Sequence, residues 1–246
     1  MNHPIKNKIF SILDPVALGS FLILVAAIVS NLTSYKVVEF AGIQASVGTV
    51  TMPIILMLLN PIAEVYGKEK SNQILLAICV LEVCFSVIFV GLSYLQNDCS
   101  LIQESVDRHK CVALNTAHTI VSQNIIRGSV SFSVGFIIGG YLNSVSLLYL
   151  KRLWSGKKYY ARDVFSSIIG EVLYTAICFV LAFYGFFPFV TIVKIFAFSL
   201  IFKLIATVIL SWVSKLIVKV LADHKVWNES VPSIRKMKFS SRHMQI

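Results

Sequence analysis

The sequence predicts an all-α polytopic membrane protein with six transmembrane helices and both termini on the cytoplasmic side. Three observations carry that expectation. Of the 246 residues, 57% are hydrophobic and only 14% are charged, and the mean hydropathy of +0.78 lies well above that of a water-soluble domain. The apolar residues fall into runs of the roughly 20 residues a helix needs to cross the hydrocarbon core. The Lys and Arg residues collect in alternate gaps between those runs, as the positive-inside rule requires.

The first run spans about Val16 to Leu32, and the second about Ile43 to Val65, with Pro53 and Pro61 inside it or near its end. A third covers Ile74 to Leu95 and gives way to a polar stretch, Gln96 to Lys110. An amphipathic segment then leads from Val112 through Arg127 into a fourth span that finishes near Leu150. The fifth runs from Val164 to Phe187, and Pro188 marks a tight reversal into the sixth, Phe189 to Leu210. The chain therefore divides into a membrane domain over residues 1–222 and a basic tail over 223–246. The tail carries Pro232 and loses the apolar period, so it is expected to be a poorly ordered extension. No short apolar segment with a small-residue cleavage site stands near Met1, so the first span is expected to direct insertion itself.

Orientation follows from the basic residues. Lys6 and Lys8 precede the first span, and Lys68 and Lys70 follow the second. Lys151, Arg152, Lys157, Lys158 and Arg162 separate the fourth from the fifth, and Lys215 to Arg242 follow the sixth. All these ends are expected inside. The net charge of +10 is thus a topology signal, not a nucleic-acid surface, because no solvated face interleaves basic and aromatic residues. Cys99 and Cys111 share the polar loop that falls outside, where oxidising conditions permit a bridge between them. Cys79, Cys84 and Cys178 lie inside apolar runs and read as small packing residues.

A mid-membrane charge costs at least about 2.5–3.5 kcal/mol, so each one should face a cavity or a partner. Glu82, Glu171 and Lys203 fit that description. Glu171 and Lys203 lie at similar depth, about nine residues from the cytoplasmic ends of their spans, and either pair with each other or flank one solute. Glu82 has no depth-matched partner and reads as a protonated acid bonded to a neighbouring helix or as a functional group. Asn60 and Glu64 stand four apart on one helix face, beside Pro61, whose missing N–H frees a carbonyl that a wet cavity or a polar solute would satisfy. Asn31 and Lys36 sit near the outer end of the first span, where snorkelling accounts for Lys36. Arg127 places five donors below the interface if the fourth span begins before it. No HExxH helix, GxSxG elbow or phosphate-binding GxxxxGK[ST] loop occurs, which argues against an intramembrane enzyme and against ATP hydrolysis by this chain.

Asn31 with Lys36, Asn60 to Gly67, Arg127, Gly139 to Asn143, Arg162 with Ser166-Ser167 and Gly170-Glu171, and Phe202-Lys203 together resemble the vitamin uptake transporter family, which includes bacterial queuosine precursor transporters. The resemblance covers about residues 25–205. It implies a six-helix protein of the bacterial inner membrane that imports 7-cyano- or 7-aminomethyl-7-deazaguanine and needs no cofactor. Asn31, Asn60, Glu64, Arg127, Glu171 and Lys203 would then be the substrate-binding residues. The chain departs from that family's pattern in carrying Asn60, Gly140, Asn143 and Tyr174 where acids or Gln are usual. The alternatives are a substrate-capturing subunit of a larger importer, which needs an ATPase partner, and a carrier of another nucleobase-like solute. Homo-oligomerisation stays open.

Overall fold

The computed structural model describes residues 14–242 apart from residue 35 and residues 41–42, 96–97, 102–104 and 186–187. Six helices among them are long and apolar enough to cross a membrane. They are α1 (Pro15–Thr33), α2 (Thr51–Tyr66), α3 (Lys68–Ser93), α4 (Ser105–Leu153), α5 (Tyr159–Phe183) and α6 (Phe189–Arg242). Lys6 and Lys8 lie outside the described residues. Between α1 and α2 the chain forms an antiparallel ribbon, β1 (Val37–Phe40) and β2 (Ile43–Ser46), then a 3-10 turn over Val47–Val50.

That ribbon corrects the second predicted span. Its first residues, Ile43 to Ser46, pair with Val37 to Phe40, and the α-helix begins only at Thr51. Gly48 makes the change of direction fit, since a Cβ there would sit 3.0 Å from the Ser30 carbonyl and 3.1 Å from the Ser34 backbone. The amphipathic segment before the fourth span is continuous with it, giving one 49-residue helix. The tail after Ala222, expected to lose regular structure, continues α6 as helix to Arg242. Its Lys, Arg, Met and Glu residues are good helix formers, so loss of the apolar period ends the span without ending the helix.

Both ends of the bundle are defined by contacts. At one end Asp14 caps α1 by accepting from the Val16 N–H at 2.9 Å, with Pro15 in the first turn. The end of α2 meets α6 there, where Tyr66 lies 3.0 Å from His224 and Lys225 donates to the Val65 carbonyl. Lys68, Lys151 and the α4–α5 turn belong to this basic end. Gly67, at φ +88°, lets α2 turn directly into α3. The other, ribbon end holds β1–β2, the start of α6, joined to the ribbon turn by a Thr49–Ser199 bond of 3.0 Å, and a Cys99–Cys111 disulfide with Cα atoms 5.8 Å apart.

Two kinds of surface hold the bundle together. Ile23, Ile55, Leu59, Leu75, Ile78 and Phe136 form an apolar core shared by α1 to α4. The α4–α5 contact is made by small residues instead: a Cβ on Gly139 would lie 2.7 Å from the Gly170 carbonyl, and one on Gly135 2.7 Å from Cys178 Sγ. Lipid offers little hydrophobic drive between helices, so close backbone approach of this Gly135-xxx-Gly139 kind supplies packing contact. Phe21, Val80, Ile88, Val180, Ile205 and Trp212 point outward, as a lipid-facing belt should.

Candidate functional site

Polar side chains are buried in three layers along the bundle. At the basic end Arg162, one turn into α5, is fully buried and grips Glu64 of α2 with both terminal nitrogens, at 2.8 and 3.0 Å. Its Nε donates to the Lys157 carbonyl, and Lys151 of α4 adds a second cation 3.1 Å from Glu64. A bidentate pair of this kind is strong and directional. It ties α2, α4 and α5 at one point.

One turn deeper, Asn60 donates to Asp163 at 2.6 Å and to Ser167 at 2.9 Å, and accepts from Asn143 of α4. Asp163 also engages Ser211 and Ser214 of α6 and Tyr159. Asn60 and Glu64 therefore do share a helix face, but that face meets α5.

The third layer surrounds a cavity in the ribbon half of about 60 Å³, room for a handful of waters. Asn31 of α1, Thr49 before α2, Ser131 and Phe132 of α4, Tyr174 and Cys178 of α5, and Lys203 of α6 line it. Lys203 is 3% exposed. Its ammonium donates to Thr175 at 3.0 Å, stands 3.6 Å from Glu171 and lies 4.5 Å from the centre of the Tyr174 ring. These three contacts hold a positive charge beside the cavity in a place where an unpaired one would be prohibitive. Asn31 Nδ2 donates to Ser86 and Ser129 and to the Ile125 carbonyl. Phe132 and Tyr174 meet edge to face at 6.0 Å and, with Phe179 and Phe183, give the cavity aromatic walls.

The six residues singled out in the sequence thus separate. Asn31 and Lys203 reach the cavity, with Glu171 behind Lys203. Asn60 and Glu64 lie in the two layers nearer the basic end. Arg127 belongs to none of them, for it donates to the Leu181 and Tyr184 carbonyls at the end of α5. At that level the guanidinium bonds C-terminal carbonyls that a helix leaves without intrahelical partners. Sequence reasoning missed Arg162 and Asp163, because Arg162 closes a basic loop and was counted with it. Its position one helical turn past Lys158, at the edge of the apolar run, was the available signal.

Residues 46–217 match the family described as "Putative vitamin uptake transporter". The chain belongs to that family. The matched segment runs from the end of the ribbon into α6 and contains every residue of the two basic-side layers, together with the cavity residues from Ser46 to Lys203. This vitamin uptake transporter is a multi-pass membrane protein whose cargo is a small molecule. No curated protein and no solved structure matches it.

Proposed function

We propose that this transporter imports a planar, polar, vitamin-like solute, a queuosine precursor such as 7-cyano-7-deazaguanine or 7-aminomethyl-7-deazaguanine, across the bacterial inner membrane. The observation that carries the reading is the ribbon-half cavity, where an amide, an ammonium and several hydroxyls converge between aromatic walls. A deazaguanine offers a flat ring to Phe132 and Tyr174, a carbonyl acceptor to Lys203, and adjacent N–H donors to Asn31 and, once Lys203 swings to the solute, to Glu171. Such a solute would reach this cavity from one side of the membrane at a time. That is the behaviour expected of alternating exposure around a fixed site.

The orientation supported by the charge pattern puts the basic end in the cytoplasm and the disulfide end outside. Solute then enters from the ribbon end, where the cavity lies, and leaves past the Glu64–Arg162 layer. The solute crosses chemically unchanged.

The test is uptake of labelled 7-cyano-7-deazaguanine by cells that cannot make it. Deletion of the protein should abolish uptake, and Lys203→Met should reduce it by about tenfold or more at equal membrane abundance, the scale of one lost charge-assisted bond. Unchanged uptake of the deazapurines on deletion refutes the substrate. A requirement for a copurifying ATPase would instead make the chain the capturing subunit of a larger importer.

A further inference from the structure

Glu82 stands near the middle of α3, about 20 Å along the helix from Lys68, and is fully buried. Its surroundings set it apart from the other buried carboxylates. Glu171 has Lys203. Glu64 has Arg162 and Lys151, and Asp163, one turn deeper, accepts from Asn60. Glu82 forms no ion pair among the described residues, and neither of its oxygens accepts a hydrogen bond.

The side chains beside Glu82 are neutral. They are Asn31 of α1 and Ser129 of α4, with Ser86 on its own helix bonded to both. The titratable groups that act with it are Cys79 on α3 and Tyr174 on α5. The Ile125 carbonyl can only accept, so Asn31 presents its Nδ2 there, and the Asn31 Oδ1 is left buried without a donor. Beyond the Ser86–Ser129 bond the serine pair keeps a single hydroxyl hydrogen, too few donors for the three unbonded oxygens of Glu82 and Asn31. One proton on Glu82 supplies the missing donor and removes the uncompensated charge together. Asn31 also lines the solute cavity, so Glu82 is one side chain away from the solute.

We propose that Glu82 is a proton-exchange site coupled through Asn31 to the solute cavity, and that one proton crosses with each solute. In the closed form the carboxylic O–H of Glu82 is bonded to Asn31. That bond fixes the Asn31 amide for the solute, so proton and solute load together; when the bundle opens to the other side, the departing solute frees Asn31 and that acceptor is withdrawn. The Glu82 O–H bond then breaks, its electron pair stays on the carboxylate, and the proton passes to water admitted as the cavity opens. Reprotonation from the opposite side resets the site. The proposal rests on the solute reading above, and its test has an arm that does not.

Purified protein in vesicles, with a pH-sensitive dye inside, is given 7-cyano-7-deazaguanine under an imposed pH difference. For one proton per solute the accumulation ratio should rise about tenfold for each pH unit, with dye acidification alongside. Glu82→Gln mimics the protonated acid and should keep solute exchange within about twofold of wild type while its accumulation ratio falls to one. A wild-type ratio indifferent to the pH difference, or a Glu82→Gln variant that still accumulates, overturns the proposal. If wild type exchanges no deazaguanine at all, the solute reading fails, and the second arm decides for Glu82. The infrared carbonyl band of a protonated carboxylic acid should be present in wild type near neutral pH, absent in Glu82→Gln and retained in Glu171→Gln. Its absence from wild type removes the proton site.

Discussion

Replacing Glu64 by Gln takes the negative charge out of the basic-end layer and leaves its two cations in place. Arg162 is 0% exposed, so it cannot recover water, whereas Lys151 is 38% exposed and can turn away. Breaking a buried pair by removing one partner costs about 3–5 kcal/mol. Glu64 is itself 10% exposed, and a Gln oxygen can still accept one bond from Arg162, so the lower end, about 3 kcal/mol, is expected. Removing both partners, Glu64→Gln with Arg162→Met, eliminates the stranded guanidinium. The double variant should then be more stable than the two single losses added together, by about 2 kcal/mol or more, as is usual for side chains in direct contact. The assay is denaturant unfolding of the purified protein in mixed micelles, with wild type, both single variants and the double variant under one condition. Strict additivity of the single effects, or a Glu64→Gln loss below about 0.5 kcal/mol, would show that the two side chains do not form a buried pair and would reopen a solute-contacting role for Glu64.

The glycine seam between α4 and α5 predicts that Gly139→Ala is destabilising by about 1–3 kcal/mol, because its Cβ would lie 2.7 Å from the Gly170 carbonyl and 2.9 Å from Tyr174 Cβ. Gly91→Ala, where no atom of a neighbouring element lies within 4 Å, should be neutral or slightly stabilising in the same denaturant unfolding assay. Cys99 and Cys111 should resist alkylation until a reductant is added, by mass spectrometry of the purified protein. On intact cells from which the outer membrane has been removed, a membrane-impermeant reductant should suffice. If the bridge opened only in inside-out vesicles, the assigned orientation would be reversed.

The spans were legible because hydropathy integrates over twenty residues and a bilayer accepts few alternatives to a helix. The ribbon was not, since Ile43 to Ser46 joins the apolar run that becomes α2, and a short apolar stretch does not reveal whether it is strand or helix. Depth was also legible: a constant rise of about 1.5 Å per residue places Glu171 and Lys203 at one level, and they stand 3.6 Å apart. So was the shared face of Asn60 and Glu64.

What a single sequence does not give is the partner across the interface, and that decides what a buried polar group does. Asn60 and Glu64 turn toward Asp163 and Arg162, where neighbouring helices satisfy them. Asn31 and Lys203 have protein partners too, but they also line a cavity. Arg127 shows the same limit, because the carbonyls it bonds belong to the backbone, which every sequence possesses and none advertises. Composition priced all of these residues alike as costly in lipid. The geometry separates the ones whose cost is already offset by protein from those at a cavity, and for Glu82 it leaves a buried carboxylate with no cation beside it among the described residues, a charge that an incoming proton would remove.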